Sequence, residues 1–240
     1  MMAVSRRTLA LVAAASALVG AGAMRGGARL TGTSAPISEA QARGYVLDHP
    51  EMLSGLIDSA RVRMSAAAVA ANRKAIFEPY AGAWAGNPKG DLTIVEYFDY
   101  NCGYCRATLP IVAKLLASDP KLRVVYREWP ILSAESGDAA KLSLAAAEQG
   151  KFMAFHTALY DGGPVTPASM AAAAKSAGVD TAKLPAGAAR ADAELARNMH
   201  VAREIGASGT PTWVIGDKVI SAAMPLETLQ AAIAEARAGR

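Results

Sequence analysis

Cys102 and Cys105 are the only cysteines in 240 residues, and they stand as Cys102-Gly-Tyr-Cys105 just after the apolar run Leu92-Thr-Ile-Val-Glu-Tyr-Phe98. A pair this close staples little, because the stabilisation from a disulfide grows with the loop it closes. Two thiols cannot fill zinc's four positions unless His or acidic residues join them. The spacing favours reversible sulfur chemistry, in which one thiolate attacks a partner's disulfide and its neighbour resolves the mixed disulfide. The flanking pattern constrains the fold. Leu92 to Phe98 reads as a buried strand, and Cys105 to Ser118 reads as a helix with Leu109, Val112, Leu115 and Leu116 on one face and Pro110 interrupting early. Leu122 to Trp129 reads as a second strand, so the three make a βαβ unit with parallel strands and a right-handed crossover.

Beyond it, an alanine-rich stretch from about Gly137 to Ile205 shows helical spacing in pieces, broken at Gly150, Asp161-Gly-Gly-Pro164, Gly178 and Pro185-Ala-Gly187. It predicts three or four helices inserted as a layer. Strands return at Thr212 to Ile215 and Lys218 to Ile220, joined as a hairpin through Gly216-Asp217, and a helix from about Pro225 to Ala238 follows. Residues 91–240 thus form one α/β domain of about 150 residues.

The first 23 residues read as an export signal: Arg6 and Arg7 precede an apolar Leu9 to Gly22, and Ala21-Gly-Ala23 offers a small-residue cleavage site. Cleavage is expected after Ala23, with Ala28 also tolerable; the alternative is an uncleaved membrane anchor, for which the run falls short of the ~20 residues a spanning helix needs. Ser5-Arg-Arg7 leaves the general secretory and twin-arginine routes both open. Export puts the dithiol in the periplasm, where disulfides persist. The signal holds two of the 25 basic residues and none of the 21 acidic ones, so the remaining chain is near +2, and no Lys/Arg run suggests nucleic acid.

Residues 24–37 read as a linker and 38–80 as a helical region. Ser38 and Gln41 fit a capping box opening a helix to about Leu47, and Pro50 suits the first turn of the next. From there Leu53, Leu56, Ile57, Ala60, Met64, Ala67, Ala71, Ala75 and Ile76 recur at steps of three and four, opposite Asp58, Arg61, Arg63, Asn72 and Arg73. This predicts one amphipathic helix of about 27 residues, ~40 Å long. It either folds back on the α/β domain or forms a self-association stalk. The second is the expectation, because residues 81–90, with Gly82 and Gly90, read as a linker between the two.

Phe98-Asp-Tyr-Asn-Cys-Gly-Tyr-Cys105, the helical insertion and Gly209-Thr-Pro-Thr-Trp-Val-Ile-Gly216 together resemble the bacterial disulfide oxidoreductases of the DsbA family over residues 91–240. The stalk and the CGYC version are more similar to the suppressor-of-copper-sensitivity C (ScsC-like) proteins, some of which are oligomeric disulfide isomerases. The resemblance implies a thioredoxin-like fold in which Cys102 attacks and Cys105 resolves. The physics agrees, since a sulfur at a helix N-terminus meets unpaired N–H groups that favour the thiolate. It also implies that Glu96, six residues before Cys102, is the family's buried acid, accepting a proton from Cys105; the alternative is an edge-strand glutamate facing solvent. Thr210-Pro211 corresponds to the family's cis-proline loop, which pairs substrate main chain beside the sulfur, against the alternative of an ordinary trans turn. Between the cysteines DsbA proteins carry Pro-His; Gly103 and Tyr104 bring no such charge, leaving the Tyr104 hydroxyl and the Arg106 charge to tune the thiolate and implying a less oxidising couple.

The expected function is exported protein thiol–disulfide exchange with no cofactor beyond the Cys102–Cys105 disulfide. Gly103-Tyr104, Thr210 and the stalk tilt it to isomerase or reductase over DsbA-like oxidase. Its partners would be protein substrates with cysteines, a membrane redox partner (a DsbD- or ScsB-like reductant, or a DsbB-like oxidant) and further copies of itself. A different class remains open: a copper-binding or chaperone protein using the two thiols as soft ligands. His49, His156 and His200 are scattered and imply no metal site, and no phosphate loop or dinucleotide fingerprint is present.

Overall fold

The computed structural model describes residues 37–239. The segment read as an export signal at 1–23, and all but the last residue of the one read as a linker at 24–37, lie outside the described residues. The described residues divide into two units, with the boundary between Gly55 and Leu56. In the first, helix α1 (Glu39–Asp48) starts at a capping box: the Gln41 N–H donates to Ser38 Oγ, and the Ser38 N–H to Gln41 Oε1 at 3.0 Å. No residue of α1 is buried.

Helix α2 (Met52–Ala71) stops at Asn72, and a short α3 (Arg73–Phe77) follows, so the single long helix expected from the apolar spacing is two. The break falls at Asn72, which has φ −106° and ψ 14°. Its side-chain amide donates to the Ala68 carbonyl at 3.0 Å, beside its own backbone N–H, and to Glu204 Oε2 at 2.9 Å.

The sheet has five strands in the order β1-β3-β2-β4-β5: β1 (Trp84–Gly86), β2 (Leu92–Phe98), β3 (Leu122–Glu128), β4 (Thr212–Ile215) and β5 (Lys218–Ile220). Strands β2 and β3 are parallel, joined by α4 (Gly103–Ser118); β1, β4 and β5 pair antiparallel. The segment read as a linker at 81–90 therefore carries an edge strand. Its glycines answer to crowding: a Cβ on Gly90 would stand 2.4 Å from the Lys121 carbonyl, and Gly86 has φ +89° with Leu122 O 2.5 Å from where its Cβ would be.

Between β3 and β4 run α5 (Ala134–Glu148), α6 (Phe152–Asp161), α7 (Pro167–Ser176), a 3₁₀ turn (Thr181–Lys183) and α8 (Leu184–Glu204); α9 (Leu226–Ala238) follows β5. Alternation along the strands gives the sheet two buried faces. Leu92, Ile94 and Phe98 of β2 face a core with α4, α6 and α9 that includes Val112, Phe152, Phe155 and Leu229. Val95 and Tyr97 face the other, where Val69 of α2 and Ile76 of α3 pack with Val125, Trp129, Val201 and Ile205. The helical region read as a stalk is therefore divided. Val69 and Ile76 have no exposed surface, whereas Leu56, Ile57, Val62 and Met64 remain exposed. Burial of Val69 and Ile76 stabilises by roughly 1.5–3 kcal/mol each at most.

Candidate active site

Cys102 is the N-cap of α4, and the helix begins at Gly103, two residues earlier than the apolar pattern indicated. The turn that delivers it is closed by the Cys102 N–H donating to the Asp99 carbonyl at 3.0 Å, just past the end of β2. From this position the sulfur accepts from the Cys105 N–H at 3.3 Å. Cys102 is 6 % exposed and Cys105 1 %, both as free thiols, so both are buried and Cys105 more completely.

The environment separates the two sulfurs. The Cys102 thiol is lowered to about 6, chiefly because the Cys105 side chain donates a hydrogen bond to it; partial burial opposes this, and the Thr210 side chain and the Cys105 and Tyr104 backbone N–H groups add to it. Cys105 is pushed up, first by burial, then because its proton is held by Cys102 and Glu96 lies near. One thiol is thus ready to attack at neutral pH while the other keeps its proton.

Glu96 faces the same side of the sheet as Leu92, Ile94 and Phe98, beneath α4, and is 3 % exposed. Burial pushes its carboxyl up to about 8, the nearby Cys102 charge adds to the rise, and a hydrogen bond from Thr108 opposes it. Thr108 Oγ1 is 2.8 Å from Glu96 Oε1 and 2.7 Å from the Cys105 carbonyl oxygen.

Thr210-Pro211 is a cis peptide, immediately before β4. Thr210 meets the sulfur twice: its side chain favours the thiolate, and its carbonyl oxygen accepts from the Cys102 thiol at 3.2 Å. The loop is held from behind by Thr212, whose hydroxyl donates to Gly209 O at 2.6 Å and lies 2.7 Å from Ser221 Oγ.

The two residues between the cysteines act through backbone and space. Gly103 leaves open space where a Cβ would stand, and the Tyr104 ring is 70 % exposed, so its N–H and not its hydroxyl serves the sulfur. Arg106, expected to lend charge to the thiolate, turns away and donates through Nη2 to the Gly163 carbonyl at 2.6 Å, in the loop after α6. Sequence reading brought together Cys102, Cys105, Glu96, Thr210 and Pro211, and missed Thr108 and Asp99. Thr108 was within reach, since it follows Cys105 by three residues on the same helix face. Asp99 was too, because Asp99-Tyr-Asn101 is an Asx-turn pattern. His156 is buried in α6, pushed down to about 3 by burial, with its ring among Phe98, Tyr126 and Phe152. No cluster of three or more metal-ligating side chains occurs among the described residues.

Residues 93–234 match the family profile of the DSBA-like thioredoxin domain. Among solved structures, a thioredoxin-like oxidoreductase from Silicibacter pomeroyi DSS-3 is 40 % identical, covering 70 % of this chain and 98 % of its own, with a TM-score of 0.66. The catalytic domain of Proteus mirabilis ScsC is 27 % identical over 72 % of this chain and 98 % of its own, TM-score 0.67. A periplasmic thioredoxin-like protein from Salmonella enterica serovar Typhimurium is 30 % identical over 69 % and 95 %, TM-score 0.64. A curated relative, a Na(+)/H(+) antiporter NhaA 1 of Salinispora arenicola, is 30 % identical over 64 % of this chain, and the chain spans only 24 % of that protein's length. No helix among the described residues is long and apolar enough to cross a membrane.

Proposed function

The chain belongs to the DSBA-like thioredoxin family of thiol–disulfide oxidoreductases, and from that premise we propose that it is an exported, periplasmic protein disulfide isomerase or reductase. The observation that carries the reading is the split between the two sulfurs: Cys102 favoured as thiolate at the cap of α4, Cys105 buried and holding its proton. In the first step the Cys102 thiolate attacks a substrate disulfide, forming a mixed disulfide and releasing one substrate thiolate. That bond removes the negative charge that had been raising Glu96. The carboxylate form of Glu96 then becomes easier to populate and takes the Cys105 proton, directly or through water. The Cys105 thiolate displaces the second substrate sulfur, leaving the substrate reduced and the Cys102–Cys105 disulfide formed.

For isomerisation, a second thiol of the substrate attacks the mixed disulfide first, and the enzyme leaves reduced. The Thr210 backbone beside the sulfur suits a main-chain pairing that tolerates many sequences. Catalysis uses the chain's own dithiol and no bound cofactor. A DsbD- or ScsB-like membrane reductant would restore the dithiol; a DsbB-like oxidant would instead drive dithiol oxidation. The exposed apolar residues of α2 support self-association, which would gather several active sites around one misfolded chain.

Refolding of scrambled ribonuclease by wild type and by Cys102→Ser tests the reading. Recovery of activity with the wild type alone is the expected result; equal recovery by both would favour a chaperone without thiol chemistry. Thiol trapping in growing cells then gives the direction, with cysteines found mostly reduced for an isomerase and mostly oxidised for an oxidase. Copper titration of the reduced protein, expected to show no stoichiometric uptake, separates the soft-ligand alternative.

A further inference from the structure

Asp99 is 1 % exposed and lies between the end of β2 and the catalytic helix. Its carboxylate accepts four hydrogen bonds: from the backbone N–H of Asn101 at 2.8 Å, of Ile131 at 2.8 Å and of Leu132 at 2.9 Å, and from the Ser136 hydroxyl at 2.6 Å. Its carbonyl accepts from the Cys102 N–H at 3.0 Å and from the Tyr160 hydroxyl at 3.0 Å. A backbone hydrogen bond from Asp99 also reaches the Cys105 sulfur. One residue therefore touches both cysteines through its backbone and the insertion through its side chain.

Asn101 repeats the pattern from two residues on. Its amide donates to Ser133 Oγ at 2.8 Å, at the N-cap of α5, and its side-chain oxygen accepts from Val165 N at 3.2 Å. Apart from Cys105, every one of these partners outside the 99–102 turn belongs to α5, α6 or the loops that flank them. A buried carboxylate is expensive unless its lone pairs are filled, and filled it fixes what surrounds it.

We propose that Asp99 is the positioning residue of the Cys102–Cys105 pair, and that through it the helical insertion sets how readily Cys102 ionises. The inference rests on the thiol-exchange reading of the same site. Cys102 gains its donors only while the 99–102 turn holds the N-cap conformation, with φ −80° and ψ 111° and the sulfur over the first N–H groups of α4. Asp99 determines where that turn sits relative to α4, and the loop at 131–132 and the start of α5 determine where Asp99 sits. Glu96 from β2 and Thr210 before β4 face the same sulfur, and neither touches the Asp99 carboxylate in these hydrogen bonds.

The test titrates the thiolate absorbance of reduced wild type, Asp99→Asn and Leu144→Ala. Asparagine keeps one acceptor oxygen and turns an NH2 toward the two N–H donors or the hydroxyl, breaking half the clamp. Leu144 lies in a separate cluster with Ala140, Ala191 and Leu195, so its truncation costs stability away from the hydrogen bonds that hold Asp99. Asp99→Asn should cut the fraction of Cys102 present as thiolate at pH 5 by about fivefold or more, and shift the glutathione equilibrium of the couple in step, while Leu144→Ala leaves both unchanged at a matched loss of melting temperature. An unchanged titration in Asp99→Asn, or an equal shift in Leu144→Ala, overturns the proposal. If Asp99→Asn does not fold, Ser136→Ala, which removes a single donor, decides by a smaller shift in the same direction or none. The titration reads the sulfur itself, so a failure here is distinct from a failure to turn over disulfides.

Discussion

The Thr108 hydroxyl stands 2.8 Å from the Glu96 carboxyl. The same oxygen is 2.7 Å from the Cys105 carbonyl, and a hydroxyl has one proton to give. When Glu96 is protonated it donates to Thr108, which in turn donates to the carbonyl. When Glu96 ionises, the hydroxyl must turn to the carboxylate and release the carbonyl. The protonation of the buried acid is thereby coupled to the first turn of the catalytic helix.

Thr108→Val should remove the hydrogen bond that lowers Glu96, so its midpoint climbs above the present value of about 8. Glu96 is then less often available to take the Cys105 proton. The decay of a mixed disulfide between Cys102 and a chromogenic thiol should slow by about tenfold near neutral pH, and Glu96→Gln by about 10- to 100-fold. Formation of the mixed disulfide should stay within about twofold in both variants, because Cys102 attack does not use that proton. A variant that slowed both steps alike would sink this assignment.

Alkylation of Cys102 by iodoacetamide should follow its thiolate fraction, half-maximal near pH 6. Below that point the rate should fall about tenfold per pH unit. Because the folded value is depressed, the thiolate stabilises the reduced protein in full only above the ordinary thiol range, and that contribution disappears as pH falls through about 6. Cys105, buried and raised, should remain unmodified over the same range.

Glu96 has the opposite sign. Its folded value of about 8 lies above the ordinary 4.5, so the neutral form is tolerated without cost below pH 4.5, and stability is lost as pH rises through 8. Glu96→Gln removes that loss. In urea unfolding, its advantage over wild type should widen by about 3–5 kcal/mol between pH 4 and pH 9. A constant difference across that range would mean that the acid is solvated.

On the far face of the sheet, Arg127 Nη1 meets Glu194 Oε1 at 2.5 Å, with both side chains at most 3 % exposed. Arg127 also donates to the carbonyls of Ile76 and Glu78, fixing the chain just after α3. Arg127→Met strands a buried carboxylate, but Arg197 still reaches its other oxygen at 2.5 Å. The cost should therefore fall at the low end of the usual range for a broken buried pair, about 3 kcal/mol, read as a lowered melting temperature. Adding Glu194→Leu should recover most of it.

How much of this was legible in the chain depends on what each signal reports. The strand, the CGYC turn and the Gly-Thr-Pro-Thr loop were readable because alternation, helix start and motif all point to one geometry. The glycines at 82 and 90 misled, since glycine marks both flexible chain and close approach, and here the Ala147 and Lys121 carbonyls leave no room for a Cβ. Asn72 misled in the other way: it fits a helix face by spacing, but its partner Glu204 is 132 residues away. Arg106 looked like a charge beside the thiolate because sequence gives proximity along the chain without direction; its partner Gly163 lies in the insertion. Asp99 and Thr108 sit in local patterns that the sequence does show, but the partners that give them their roles, Ile131, Leu132 and Ser136 for the first and Glu96 for the second, come from packing that periodicity does not contain.

The apolar stripe of α2 poses the remaining physical question, because only part of it is used. Val69 packs fully into the far core, whereas Leu56, Ile57, Val62 and Met64 are 43–72 % exposed on the same helix. Leu56, Ile57 and Met64 share one face of α2, and burying them against another copy would contribute roughly 1.5–3 kcal/mol each before association costs. Val69 and Ile76 are already committed to the domain, so the seam must lie N-terminal to them. Replacing Leu56 and Met64 together by Lys should therefore lower the mass seen in sedimentation from an oligomer to a monomer. The rate of Cys102 alkylation should not change, since nothing at the sulfur is touched. Recovery of scrambled ribonuclease should drop by about tenfold if gathering active sites matters to the reaction. A wild-type protein that sediments as a monomer would leave the exposed stripe without this role and remove one of the three supports for isomerase over oxidase.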